Sequence, residues 1–379
     1  MSDFIQLHLL TSYPPANLNR DDQGRPKTAN MGGTDRLRIS SQSLKRTWRT
    51  SDLFQSALQG HIGVRTKRLG VEAYKALCDK EVKDKDAMVW ARSIAEVFGK
   101  TKKIEKVKDK SKAKDKEQDK EQDLDQDKAN EKANAMASLE IEQLVHVSPC
   151  EQEAINDLIE VCANAQRAPE KAELDLLRHA DQAVDVALFG RMLASKPNYN
   201  VEAACQVAHA ISVHPIVIED DYFTAVDDLN QGKDDSGAAH IGETLFAAGL
   251  FYAYICINKS LLIENLGDEA LAKQAISALT EAAVKVAPEG KQNSFGSRAY
   301  ATYVLAEKGE QQPRSLSAAF LKAIDQRSSD DYALSAIEAL KTQYEAFDKV
   351  YGPCADDRMT INVLAGEGTL PVLLQFVSA

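Results

Sequence analysis

Between Arg20 and Arg49 the chain carries eight cations, Arg20, Arg25, Lys27, Arg36, Arg38, Lys45, Arg46 and Arg49, against three acids, Asp21, Asp22 and Asp35. This local charge of +5 sits in a protein of net charge −11, which leaves −16 for all other residues. A cationic block on an anionic body suits one anionic ligand gripped at one place, not a surface that binds nucleic acid everywhere. A second chemistry is suggested by adjacent acids. Asp21-Asp22, Asp220-Asp221 and Asp227-Asp228 are paired carboxylates of the kind that hold Mg²⁺ in a ribonuclease. Adjacent acids diverge on a strand, however, and no His or Lys stands at a motif-like spacing from them, so a metal-dependent nuclease is the alternative reading.

The cations need elements to hold them. Gly24, Pro26, Gly32 and Gly33 punctuate a loop. Ile39 then leads into Ser40-Ser41-Gln42-Ser43, a helix start in which a Ser hydroxyl can accept from an orphan amide. On a helix beginning there, Gln42, Lys45, Arg46 and Arg49 fall within one arc of about 100°. Leu44, Thr47, Trp48 and Ser51 lie opposite, so Leu44 and Trp48 pack inward while the cations face out. The helix N-terminus adds free N–H groups and a positive dipole end, both suited to phosphate.

Upstream, Phe4 to Leu10 alternates, with Ile5, Leu7 and Leu9 on one face and Gln6 and His8 on the other, which predicts a strand. Residues 59–182 turn helical and acidic, a helical insertion with its own small core. Within it, residues 100–132 hold 12 Lys and 10 Asp or Glu in 33 positions, too few apolar groups to offset chain ordering. Strands are expected at 184–192 and 204–214. In the second, Cys205, Val207, His209, Ile211 and Val213 would share a face, with His209 a satisfied core histidine. Residues 216–248 mix acids, glycines and the adjacent aromatics Tyr222 and Phe223, the composition of a protruding hairpin or loop. A strand at 249–258, a helix at 268–287, a strand at 300–305, helices at 314–324 and 332–350, and a glycine-punctuated segment at 351–379 complete the chain. This order suggests an α+β fold built on a ferredoxin-like sheet with grafts.

At 379 residues, 44% hydrophobic and 27% charged, the chain has a globular composition and room for a sizeable core. Its six cysteines are scattered without a CxxC, which suggests reduced thiols in a cytoplasmic protein and neither a disulfide framework nor a zinc site. The N-terminus lacks the cationic start and apolar run of a secretory signal. The longest apolar run, Leu245 to Ile257, is too short for a membrane span of about 20 residues.

LNRDD at Leu18 to Asp22, the GG pair and RLRISSQSLKR together strongly resemble the backbone subunit of the type I-E Cascade complex, the CasC family of CRISPR surveillance proteins. ALFGRM at Ala187 to Met192, AHAI at Ala208 to Ile211, YFTAVDDL at Tyr222 to Leu229, AHIG at Ala239 to Gly242 and GKQ at Gly290 to Gln292 extend the resemblance in order along most of the chain. It implies several copies stacked along a CRISPR RNA, other Cascade subunits as neighbours, and target DNA reached through the guide duplex. It further implies a modified RNA-recognition palm (1–58 and 183–350), helical fingers (59–182) and a thumb (216–248). RNA contacts are then expected from Arg20, Lys27, Ser40, Gln42, Lys45, Arg46 and Arg49, with Met192 as a wedge near the guide bases and Tyr222 and Phe223 against the duplex. The strands carry no aromatic RNP1 signature, so contact is expected from the loop and helix, not from the sheet face. No catalytic residue, metal, cofactor or membrane is implied.

Overall fold

The computed structural model describes residues 3–102, 133–178, 183–225, 240–325 and 331–379. The first elements are β1 (Phe4–Ala16), β2 (Thr28–Met31), β3 (Thr34–Ile39), α1 (Ser41–Arg49) and α2 (Asp52–Ala57). Next come β4 (Val64–Thr66), α3 (Leu69–Asp79), α4 (Asp84–Phe98), β5 (Val145–Val147), α5 (Pro149–Ala165) and α6 (Val184–Phe189). The chain continues with β6 (Cys205–Val207), β7 (Ala210–Ser212), β8 (Glu219–Ala225), β9 (His240–Asn258), α7 (Lys259–Leu266) and α8 (Glu269–Lys285). It ends with β10 (Ala301–Gly309), α9 (Tyr332–Tyr351), β11 (Asp357–Asn362) and α10 (Leu370–Ser378). These fall into two units, one of Met1–Gln59, Ala204–Glu264 and Asp268–Ala379, the other of Gly60–Ala203 with Asn265–Gly267.

The first unit is a mixed α+β structure around an antiparallel sheet in the order β11-β10-β1-β9-β7-β3-β2, with β6 and β8 also paired to β9. β1 lies between β10 and β9, and its alternation serves two buried faces. Leu9, Leu44 and Trp48 of α1, Phe251 and Ala283 of α8 line one small cavity. On the other side Leu10 joins a core with Leu316, Phe320, Ile337 and Leu340. Gln6 and His8, the polar side of the sequence pattern, are also buried. The polar face is therefore not solvated: Glu307, Arg314, Tyr252 and Tyr254 supply its hydrogen bonds.

The second unit has its own core, in which Leu77, Trp90, Phe98, Ile155 and Ile159 are buried. β4 and β5 pair antiparallel beside it. α5 starts at a capping box, in which Ser148 Oγ accepts from Glu151 N–H and the Glu151 carboxylate accepts from Ser148 N–H. That carboxylate also accepts from the buried Arg191 guanidinium at 2.8 Å.

Beyond residues 28–39, a β-hairpin where a loop was expected, four further segments differ from the sequence expectation. Residues 184–192 are not a strand: Val184–Phe189 is a short helix, closed by Gly190 at φ +81°. The Val-Asp-Val alternation misleads because Asp185 faces inward, where its carboxylate accepts from Gly63 N–H at 2.8 Å. Residues 204–214 form two short strands, not one. Val207 lies opposite Ile255 but Ile211 opposite Tyr252, so four steps on one strand match three on its neighbour, a β-bulge. Residues 314–324 hold only a single 3₁₀ turn, Ser317–Phe320, in place of a helix. The Arg314 and Leu316 N–H groups donate to Gln6 and Tyr252 side chains, which draws the segment out along the sheet. The closing segment adds β11, paired with β10, and the helix α10. Of the charged stretch 100–132, residues 103–132 lie outside the described residues.

Candidate nucleic-acid interface

The basic stretch folds as a loop, a hairpin and a helix. β2 and β3 are joined by Gly32 and Gly33 at φ +62° and +76°, the two positive values that a tight hairpin turn demands. Gly32 also passes so close to Leu321 that a Cβ would lie 1.7 Å from the Leu321 carbonyl oxygen. Asn19 ties the parts together. Its carbonyl accepts from Lys27 N–H at 2.8 Å, and its side-chain oxygen accepts from Ser40 N–H at 2.9 Å. Ser40 in turn caps α1, its hydroxyl accepting from Ser43 N–H at 3.3 Å.

On α1, Leu44, Thr47 and Trp48 are buried, Gln42 and Arg46 are exposed, and Lys45 and Arg49 are half-buried. Arg20 is exposed in the preceding loop and Lys27 half-buried beside it. Arg20, Arg46, Ser43, Asp21, Asp22 and Gly290 line a cleft of about 550 Å³. Gly290 reaches it because the loop after α8 lies flat on Leu18, where a Cβ would stand 2.2 Å from the Leu18 carbonyl oxygen. Sequence reasoning missed Asn19, Ser43 and this loop as parts of the site, although LNRDD and GKQ were the local signals. One cation leaves the count: the Arg36 guanidinium is buried and donates to the Ser212 and Phe320 carbonyls at 2.9 and 3.0 Å. Arg36 is a structural strut.

The three remaining candidates lie elsewhere. Met192 belongs to the second unit and is 73% exposed. Its neighbours are fixed, Arg191 by its ion pair and Leu193 by donating its N–H to Asn200 Oδ1 at 2.7 Å. Tyr222 and Phe223 sit on β8, which pairs with the outer half of β9 from Glu219↔Phe246 to Ala225↔His240. Tyr222 is 65% exposed and Phe223 42%. The Phe223 ring lies over Gly242 directly across the hairpin, where a Cβ would come within 2.4 Å of it. Of the two aromatics, Phe223 therefore has the larger share in holding the hairpin.

The sequence matches the CT1975-like protein family (Cas_CT1975) over residues 5–370. The chain belongs to the CT1975-like family. No curated protein matches it. Among solved structures, a chain of a CRISPR RNA-guided surveillance complex, pre-nicking, is similar with TM-score 0.78 and 29% identity, covering 99% of each chain. A chain of another CRISPR RNA-guided surveillance complex is similar with TM-score 0.68 and 25% identity, again over 99% of each. The resemblance read from the sequence thus holds at the level of the family.

Among the described residues of this CT1975-like protein, the paired acids join no group able to hold a metal ion. Asp21 Oδ1 accepts from the Gln23 and Arg25 N–H groups at 2.9 and 2.8 Å and so holds the loop's turn. Asp220 and Asp221 are successive strand residues and project to opposite faces. Asp227 and Asp228 lie outside the described residues. Among the described residues no group of three or more His, Cys, Asp or Glu could hold a metal ion. All six cysteines are free, and no described helix is long and apolar enough to cross a membrane.

Proposed function

We propose that this chain is the guide-binding backbone subunit of a Cascade-like complex of the type I-E kind. Several copies stack along a CRISPR RNA, grip its phosphates without reading sequence, and present its bases for pairing with target DNA. The observation that carries this reading is the full-length likeness to a chain of an RNA-guided surveillance complex. The cationic loop and helix supply the chemistry. Phosphate contacts position a strand, and base pairing supplies the specificity. A subunit repeated through heterologous contacts makes an open helical stack, which matches a linear guide.

In this reading the first unit is a ferredoxin-like palm. The order β10-β1-β9-β7, with helices following β1 and β9, is that expected of such a sheet. The second unit serves as the fingers and the β8–β9 hairpin as the thumb. Arg20, Lys27, Ser40, Gln42, Lys45, Arg46 and Arg49 meet the guide backbone, while Met192, Tyr222 and Phe223 meet bases. Purified protein tests the reading at once. It is expected to carry a small RNA, seen as a raised ratio of absorbance at 260 to 280 nm and as a discrete band after extraction. Protein free of RNA that also fails to bind an added guide strand would refute it.

A further inference from the structure

We infer that Lys27, Arg38 and His209 form a second binding site for a phosphodiester of the RNA strand, next to the α1 face; the inference rests on the function proposed above. Arg38 lies on β3 and its guanidinium is tethered twice. Nε donates to the Thr28 carbonyl at 3.3 Å, and Nη1 meets His209 Nδ1 at 3.0 Å. A guanidinium only donates, so Nδ1 is the acceptor and the neutral ring carries its hydrogen on Nε2. Burial first, then the charges of Arg38 and Lys27, lowers the His209 pKa and favours this neutral form. Lys27 extends the β2–β3 ladder by one residue, its carbonyl accepting from Arg38 N–H at 2.8 Å.

Three features separate this cluster from a solvated basic patch. His209 lies in the bulge between β6 and β7, which breaks the alternation expected to place it in the core. Bulges re-aim side chains, and this one accompanies the ring's contact with Arg38. Lys27 and Arg38 are half-buried, and His209 stands exposed beside them. Arg38 is held by a carbonyl and a neutral ring, and neither Lys27 nor Arg38 has an ion-pair partner among the described residues. The cation is thus oriented without being neutralised. A planar guanidinium flanked by an ammonium and an N–H donor suits the oxygens of one phosphate. Asn19 joins the cluster to α1 in one frame, because it accepts from both Lys27 and Ser40. A single strand lying on α1 then meets this cluster as its next contact.

The test is binding of RNA-freed protein to a fluorescent oligouridylate over a range of salt. Arg38→Ala is expected to lower affinity by roughly tenfold or more, the loss of a charge-assisted hydrogen bond. It should also flatten the plot of log K against log[salt] by about 0.7. His209→Ala should weaken binding, and His209→Asn, which keeps an acceptor near the Nδ1 position, should restore it, with melting temperatures unchanged. If the unaltered protein binds with a salt slope while Arg38→Ala matches it in affinity and slope, the site is wrong and the proposed function stands. If the unaltered protein shows no binding, both fall. If Arg38→Ala melts early, the His209 pair decides, and equal affinities of His209→Ala and His209→Asn would overturn the site. Equal displacement of the RNA by poly-glutamate would overturn the choice of a phosphodiester.

Discussion

Trp48 and Arg49 are neighbours in sequence and opposite in role. Trp48 is fully packed under α1 against the sheet, whereas Arg49 rides the rim of the basic face. Trp48→Ala is expected to cost roughly 3 to 5 kcal/mol of stability by opening a cavity. Lys45→Ala combined with Arg49→Ala is expected to leave the melting temperature near that of the unaltered protein while weakening RNA binding. Thermal melts and binding curves of both variants check this, and early melting of the double variant alone would mean that the cations are structural. The helix face was legible in the sequence because apolar residues at Leu44 and Trp48 repeat at the helical spacing. The fate of individual cations was not. Arg36 and Arg38 stand two apart on one strand and look alike in the sequence, yet one is buried against two carbonyls and the other rests on a histidine. Only the partners across the sheet tell them apart, and these come from residues more than a hundred positions away.

Strands, helices and the hairpin were read with uneven success for similar reasons. Long elements with one apolar face, such as α8 and α9, or with dense β-branched and aromatic content, such as β9, announce themselves. α6 does not, because Val184 to Leu188 are all buried and a short helix without a polar side has no period. Residues 314–324 carry helical composition, but buried side chains hold them in another shape. Those side chains make a pH-sensitive device. Tyr252 hydroxyl accepts from Leu316 N–H and donates to His8 Nδ1, and His8 Nε2–H donates to Glu307. Arg314 and Arg358 also donate to Glu307. Burial pushes the Glu307 carboxyl up, but the hydrogen bonds from His8, Arg314 and Arg358 outweigh it and hold it below the usual carboxylate range. Burial likewise lowers His8 below its ordinary value and keeps the ring neutral.

The two signs agree. An unfolded histidine takes up a proton near pH 6.5 and an unfolded glutamate near pH 4.3, each before its folded counterpart, so the unfolded state gains on acidification. The melting temperature is expected to fall as pH drops through about 6.5 and to fall further below about 4.3. His209 and His214, whose pKa values are also lowered, share the first step. His8→Gln is therefore expected to reduce, not abolish, the slope between neutral and mildly acidic pH. A melting temperature that rises on acidification would contradict this account of the network.

Across the whole chain, the kinship with CRISPR surveillance proteins was open to sequence reasoning through RISSQSLKR and its companions. The bulge at His209, the strut at Arg36 and the closing pair β11 and α10 were not, because each depends on pairing between distant segments. The composition of residues 100–132, evenly charged and poor in apolar groups, predicts no share in RNA contact. Replacing them with a short Gly/Ser linker is expected to leave RNA affinity and melting temperature unchanged. A large loss of affinity with unaltered melting would make that segment a contact surface.

The central claim is a grip on phosphate that ignores base sequence, and the salt dependence of binding to two RNAs of unrelated sequence tests it most directly. With three or four phosphates engaged per copy, log K should fall by about 2 to 3 per copy for each unit of log[salt], at about 0.7 per single-strand contact, equally for both RNAs. An affinity that does not change between about 50 and 300 mM salt, or a slope and affinity that hold for only one of the two sequences, would contradict the claim.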